Sequence, residues 1–256
     1  VTNKIYPPDA FVSVYGPVFF SEKTIILNWA IQKYLFHLYL NSMVNTYAFI
    51  APTDKALKGY IDPLTYGTNR PTALKFWYDP TALKVKATVY SYNKTTGTIN
   101  YNDSITVIDN DDFIKSRLVR ILDQSIVVGD LKNKGGSFSD GYYVTKDGNF
   151  VKASNISTIA GKVSSPNSYF QGGGDLEINR RIQVSDSGIY HQKNGTTFFV
   201  DELYQTPLQS VYAVLSNTTK YPEFSEFFKM LSEFPANNVF ISRVSPYYGI
   251  DANVKF

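Results

Sequence analysis

The sequence predicts an α+β fold, and three observations carry that prediction. An apolar, aromatic stretch from Thr24 to Leu40 ("TIILNWAIQKYLFHLYL") has no glycine or proline and is long enough for a helix rather than a strand. "LKVKATVYSY", Leu83 to Tyr92, alternates Val85, Ala87 and Val89 with Lys84, Lys86 and Thr88, the period of a strand. Between Ser125 and Pro207, short β-rich pieces alternate with glycine turns. At 256 residues the chain can form one large domain or two small ones, and it can bury a full core.

Taken in order, the first helix is expected over Thr24–Leu40, with Ile31, Leu35 and Leu38 on its apolar face. His37 inside it reads as a packed or surface side chain, since no second ligand stands at metal spacing. Tyr47 to Ala51 reads as an inner strand stopped by Pro52, which cannot donate to a sheet ladder. Thr53 is then placed to cap the next helix, with Asp54 in its first turn. "LKFWYD", Leu74 to Asp79, puts Phe76 and Tyr78 on one face of a strand and Trp77 on the other. Leu83–Tyr92, the turn "NKTTG" and Thr98–Ile108 form a β-hairpin.

Asp109 to Gln124 ("DNDDFIKSRLVRILDQ") opens on aspartates and continues with Ile114, Leu118, Ile121 and Leu122 on one helical face. The aspartate spacing lacks the glycine and distal glutamate of a calcium loop, so capping is the more economical reading and no metal is expected. Lys146–Asn149 and Lys193-Asn194-Gly195 are hairpin-turn signals. Gly172-Gly173-Gly174 is followed by no Lys-Ser/Thr, so it reads as a flexible point or a tight bend rather than a phosphate loop. After Pro207, two short helices are expected around a loop at 217–220. Ser210-Val211-Tyr212 repeats Ser13-Val14-Tyr15, which suggests an internal repeat, its second copy cut off at Phe256.

Composition removes several function classes. The 25 basic and 22 acidic residues leave a charge of +3, without the basic clusters of a nucleic-acid binder. With no cysteine there is no disulfide, thiolate metal site or cysteine nucleophile. The 20 Tyr and 18 Phe, set among Asn, Ser and Thr, suit β-structure with polar loops of the kind common in extracellular binding proteins. The chain starts at Val1 without a signal peptide, so a fragment or mature form is expected, with any export signal upstream.

Catalysis needs a nucleophile, a base within reach and a group that orients it. Asp186, Ser187 and His191 sit in one short hairpin whose alternation does not converge them, so they read as solvated turn residues. Asp201-Glu202 are expected on opposite faces of a strand, unable to act as a pair. Phe76, Trp77 and Tyr78 are the remaining candidates, as an aromatic platform for sugar or protein contact. Asp103-Ser104-Ile105 fits a short O-glycosylation pattern.

"AFIAPTDKAL", Ala48 to Leu57, resembles the first signature block of the fasciclin domain family: an apolar strand, then Ala-Pro-Thr-Asp and a short helix. "NGTTFFVDELYQTP", Asn194 to Pro207, resembles its second block, and "RLVRILDQSIVVGDL", Arg117 to Leu131, the region between. "YPEFSEFFKML" resembles the start of a further repeat. The resemblance implies a twisted β-sandwich or wedge with helices at one side over residues 1–207, enlarged by a hairpin at about 72–108. A partial second domain follows at 208–256. It implies structural roles for Pro52, Thr53, Asp54, Asn194 and Gly195, and no catalytic residue or cofactor. The chain departs from the family at Gln124-Ser125, where many members carry Tyr-His, the pair tied to integrin adhesion in animal members. The chain is similar to surface fasciclin proteins of Bacteroidetes-like bacteria, often lipid-anchored. The expected function is non-enzymatic adhesion or binding to a protein or glycan at the cell surface or outer membrane of a Gram-negative bacterium. Its membrane attachment would run only through an anchor outside this stretch. The alternative is an accessory lipoprotein gripping a TonB-dependent outer-membrane transporter or its oligosaccharide or peptide cargo. A hydrolase is the third and least supported possibility.

Overall fold

One strand, buried on both faces, organises the chain. In β1 (Tyr47–Pro52, "YAFIAP") all six residues are buried, so its apolar run needs no alternation. The computed structural model describes residues 12–132, 134, 136–156, 167–209, 211–233, 242–243 and 254–255. In it, β1 pairs in parallel with β11 (Gly195–Val200) and antiparallel with β6 (Ile126–Val128). The sheet continues through β10 (Ile182–Gln192), β9 (Tyr169–Gly172), β8 (Phe150–Ser154) and β7 (Gly141–Val144), in the order β6-β1-β11-β10-β9-β8-β7. A bridge between Val127 and Thr145 and a hydrogen bond from Lys146 N to Ile126 O bring its two ends together, so the seven-stranded sheet nearly closes on itself.

The two faces of β1 belong to two cores. Ala48 and Ile50 point into the curled sheet with Val151, Phe170, Ile182, Phe198 and Val200. Tyr47, Phe49 and Ala51 point outward onto the helices. Those helices are α1 (Gly16–Phe20), α2 (Ile25–Lys33), α3 (Phe36–Leu40) and α5 (Asp111–Ser125).

A second sheet covers the helices from the other side, with β2 (Tyr60–Ile61), β3 (Thr72–Asp79), β4 (Lys84–Asn93) and β5 (Thr98–Ile108) in that order. The expected β4–β5 hairpin is present, bulged twice, and β3 pairs along its far side from Thr72↔Ser91 to Asp79↔Lys84. Leu74 and Phe76 of β3 and Val85, Ala87 and Val89 of β4 enter the helix-side core. Between β2 and β3, α4 (Pro63–Tyr66) is capped by Asp62, whose carboxylate accepts from Leu64 N at 3.1 Å. The same carboxylate accepts from Arg117 Nη2 at 3.0 Å, and both residues are almost wholly buried. This pair ties the second sheet to α5.

The helical expectations need correction at the start of the chain. Thr24–Leu40 is two helices, because Leu35 takes a left-handed conformation at φ 63° and ends the first. The cost of that conformation to a branched residue is about 1–2 kcal/mol. It turns α3 so that Leu40 enters the core, while Leu35 and Leu38 face solvent instead of lining the expected apolar stripe. In α5 the expected face is buried in full, Ile114, Leu118, Ile121 and Leu122 together. Its cap, however, is Asn110, accepting from Phe113 N at 2.9 Å. Asp111 and Asp112 occupy the first turn, and Asp109 pairs with Lys84. After Pro207, α7 (Val211–Ser216) and α8 (Ser225–Glu233) flank the expected loop at 217–220. Ser210 and residues 234–241, 244–253 and 256 of the expected second copy lie outside the described residues. No helix among the described residues is long and apolar enough to cross a membrane.

Candidate functional site

The Pro52-Thr53-Asp54 segment leaves β1 where β11 also ends. Pro52 is the last paired residue, opposite Val200, and Thr53 N still donates to Val200 O at 2.9 Å. Thr53 does not cap the next element, a 3₁₀ turn over Ala56–Lys58 without a side-chain cap. Its buried hydroxyl donates to Asp201 Oδ1 at 2.8 Å, across 148 residues of chain. Asp54 caps a different helix from the one beside it. Its two oxygens accept from Ile25 N (3.1 Å) and Ile26 N (2.9 Å), the first amides of α2. Burial pushes the Asp54 carboxyl above its ordinary value, opposed by the two amides and by Lys58. The segment is a clasp between β1, β11 and α2.

Asn194 and Gly195 form a second clasp. The β10–β11 hairpin turns through Lys193-Asn194, one residue earlier than an Asn-Gly turn would, and Gly195 is the first strand residue. Asn194 is buried. Its Oδ1 accepts from Val14 N at 2.8 Å, and its Nδ2 donates to Leu40 O and Ser42 O at 2.8 and 2.9 Å. Gly195 sits at φ 135°, and a Cβ there would lie 1.8 Å from Tyr47 O, so only glycine lets β11 reach β1.

The three glycines at 172–174 resolve as a close crossing rather than a flexible point. A Cβ on Gly172 would stand 2.2 Å from Gln205 O. Asp175, wholly buried at the start of α6 (Gly173–Glu177), accepts from Gly172 N, Gln205 N and Arg180 Nε at 2.9, 2.7 and 2.7 Å. Arg180 Nη2 donates in turn to Leu203 O at 2.8 Å. The segment from Asp201 to Thr206 is therefore pinned at several points, and Tyr204 adds a bond from its hydroxyl to Gln124 O.

Beside this pinned segment lies a cleft of about 310 Å³, walled by the 3₁₀ turn, β2, the start of β5 and residues 201–206. Lys58, Tyr101, Gln124, Arg180, Glu202 and Gln205 contribute to its lining. Asp201 and Glu202 follow the end of β11 rather than alternating along it. Asp201 is engaged by Thr53 and, at 3.7 Å, by Lys55. The cleft is invisible in the sequence because its walls come from five separate segments. Asp62-Pro63 is the legible signal that pattern reading missed, a cap residue followed by proline at the first helical position.

The aromatic run of β3 divides as alternation predicts. Phe76 is 1% exposed in the helix-side core and Tyr78 packs against the same core, so neither offers a platform. Trp77 alone takes the outer face of the second sheet. Its ring lies half-buried, its Nε1 donates to Thr88 Oγ1 at 3.2 Å, and the Lys86 ammonium stands 5.6 Å from the ring centre. Lys86 is itself held by Asp79 at 2.8 Å, and Val107 of β5, opposite Thr88, is exposed.

His191 lies near Thr196 and packs its ring 5.6 Å from that of Phe138. Partial burial and Lys132 hold its imidazole below the ordinary value, against the pull of Asp130. The side chains of Asp186 and Ser187 lie outside the described residues. No group of three or more His, Asp or Glu side chains suited to a metal occurs among the described residues.

No family model matches the chain, and no curated protein does. Among solved structures it is similar to a FAS1 domain pair from the insect cell adhesion molecule fasciclin I. The identity is 13% and the TM-score 0.35, over 83% of this chain and 53% of that one. The chain thus spans about half the length of that structure, and so loose an overlap assigns neither family nor function.

Proposed function

We propose that the chain is a non-enzymatic binding module of fasciclin type, from an exported cell-surface protein, and that it adheres through protein or glycan contacts. The observation behind this reading is the placement of Trp77. The inner face of its sheet is fixed to the helices by Leu74, Phe76, Val85 and Ala87, while the outer face presents the indole in a polar surround. A large ring on a rigid, solvent-facing sheet makes contact area at little entropic cost, the property that enriches Trp at binding hot spots. The Pro-Thr-Asp and Asn-Gly blocks support the reading from the other side, since their polar atoms are occupied in tying β1 and β11 to α2, α3 and the turn before α1. An adhesive role at the surface of a Gram-negative cell follows from the sequence resemblance alone.

The test is retention of the labelled chain on intact cells of its native source. Trp77→Ala is expected to lower retention by about tenfold or more, the range of a hot-spot aromatic, with its circular dichroism unchanged. Retention equal to wild type places the contact elsewhere. Turnover of a peptide or glycan, abolished by a point substitution, contradicts the non-enzymatic reading.

A further inference from the structure

The cleft beside residues 201–206 holds chemistry that the architecture does not use. Gln124 is 4% exposed and lines the cleft, yet its side-chain amide makes no hydrogen bond among the described residues. Its amide is not sealed off from solvent, so a ligand supplying both a donor and an acceptor can take the place of water there. Lys58 and Glu202 line the same cleft without an ion pair among the described residues. Tyr101, 52% exposed, offers a ring steadied by the edge of Tyr90 at 5.2 Å and by a bond from its hydroxyl to Lys58 O at 3.1 Å.

We propose that this cleft is a saccharide-binding site, large enough at about 310 Å³ for roughly one or two sugar rings. It extends the binding reading above, on which it rests, by naming a ligand class for a part of the surface other than the Trp77 face. The class follows from the lining. One kind of ligand group has to meet an amide, a carboxylate and an ammonium within a single small cleft. A hydroxyl does so because it both donates and accepts, and a ring bearing adjacent hydroxyls presents several at once. The apolar face of such a ring has a matching surface in Tyr101. A phosphate or sulfate would be drawn to Lys58 and Arg180 but repelled by Asp201 and Glu202, which stand in the same wall. An extended peptide would have to lie along the edge of β5, whose residues Ile99 and Tyr101 wall the cleft, and the hexapeptide arm of the test detects that outcome. The pinned frame of Asp175, Arg180 and Gln205 keeps these groups in place before a ligand arrives.

Saturation-transfer NMR with millimolar cellobiose, maltose, N,N′-diacetylchitobiose and digalacturonate tests the site. At least one disaccharide is expected to receive saturation. Tyr101→Ala and Glu202→Gln should each weaken its binding by about tenfold, while Tyr101→Phe, which keeps the ring, should leave it within about twofold. Circular dichroism checks that each variant is folded. The proposal is overturned by transfer to none of the four sugars, by transfer unchanged in both weakening variants, or by a mixed hexapeptide pool bound in their place. The Trp77 retention assay is read separately. Retention that persists with no sugar bound sinks the saccharide site and spares the binding reading; loss of sugar binding in Tyr101→Ala with retention unaffected by Trp77→Ala does the reverse.

Discussion

At the scale of single residues, the most informative side chains act across the chain rather than beside themselves. Thr53 looks like a local cap in sequence, yet its hydroxyl is spent on Asp201. Thr53→Ala is expected to cost about 1 kcal/mol in chemical denaturation, the net worth of a buried hydrogen bond. A local cap would predict a similar loss, so a double-mutant cycle with Asp201→Ala is needed to separate the two. The clasp predicts a coupling of about 1 kcal/mol between the sites, and a local cap predicts none. Asn194→Ala strands one buried amide and two carbonyls, and should cost about 3 kcal/mol or more. His191 carries the residue-scale pH dependence. Its imidazole is depressed in the folded chain, so below the ordinary value of 6.5 the unfolded chain takes up a proton that the native one resists. The contribution is present above 6.5 and is lost as pH falls. Denaturation at about pH 7.5 and about pH 5.5 should show a smaller drop for His191→Gln than for wild type. An equal drop would assign the sensitivity to other groups.

At the scale of elements, backbone proximity explains what side-chain patterns do not. Strand β11 reaches β1 only because Gly195 has no Cβ, and residues 204–207 cross α6 only because three glycines lie beneath them. Gly172→Ala would drive a methyl into the Gln205 carbonyl and is expected to cost about 1–3 kcal/mol, the range of overpacking. Its loss should appear as a lower melting temperature with the fold retained, and a melting temperature unchanged from wild type would mean that the crossing has room for a methyl. The broken helix at Leu35 belongs to this scale too. Periodicity alone gives one helix over Thr24–Leu40, but the chain breaks at Leu35, and beyond the break Leu40 is buried in the core and Asn194 holds Leu40 O and Ser42 O. Tertiary bonds outweighed local propensity.

At the scale of the whole molecule, the legible parts are those fixed by local period and punctuation. The β4–β5 hairpin, the buried face of α5, the two helices after Pro207 and the split of Phe76 and Tyr78 from Trp77 all follow from patterns within a few residues. The near-closure of the large sheet was not legible, because it depends on Val127 meeting Thr145 and on β1 running parallel to a strand more than a hundred residues away. The cleft was hidden for the same reason: Tyr101, Gln124 and Glu202 converge only in the fold. The central claim is that the signature block is architecture and that binding lies on the open sheet face. Its most direct test is to measure cell retention and stability side by side for Thr53→Ala and Trp77→Ala, at a temperature where both are folded. Thr53→Ala is expected to lose stability and keep retention, while Trp77→Ala loses retention and keeps stability. The opposite pairing would contradict the claim.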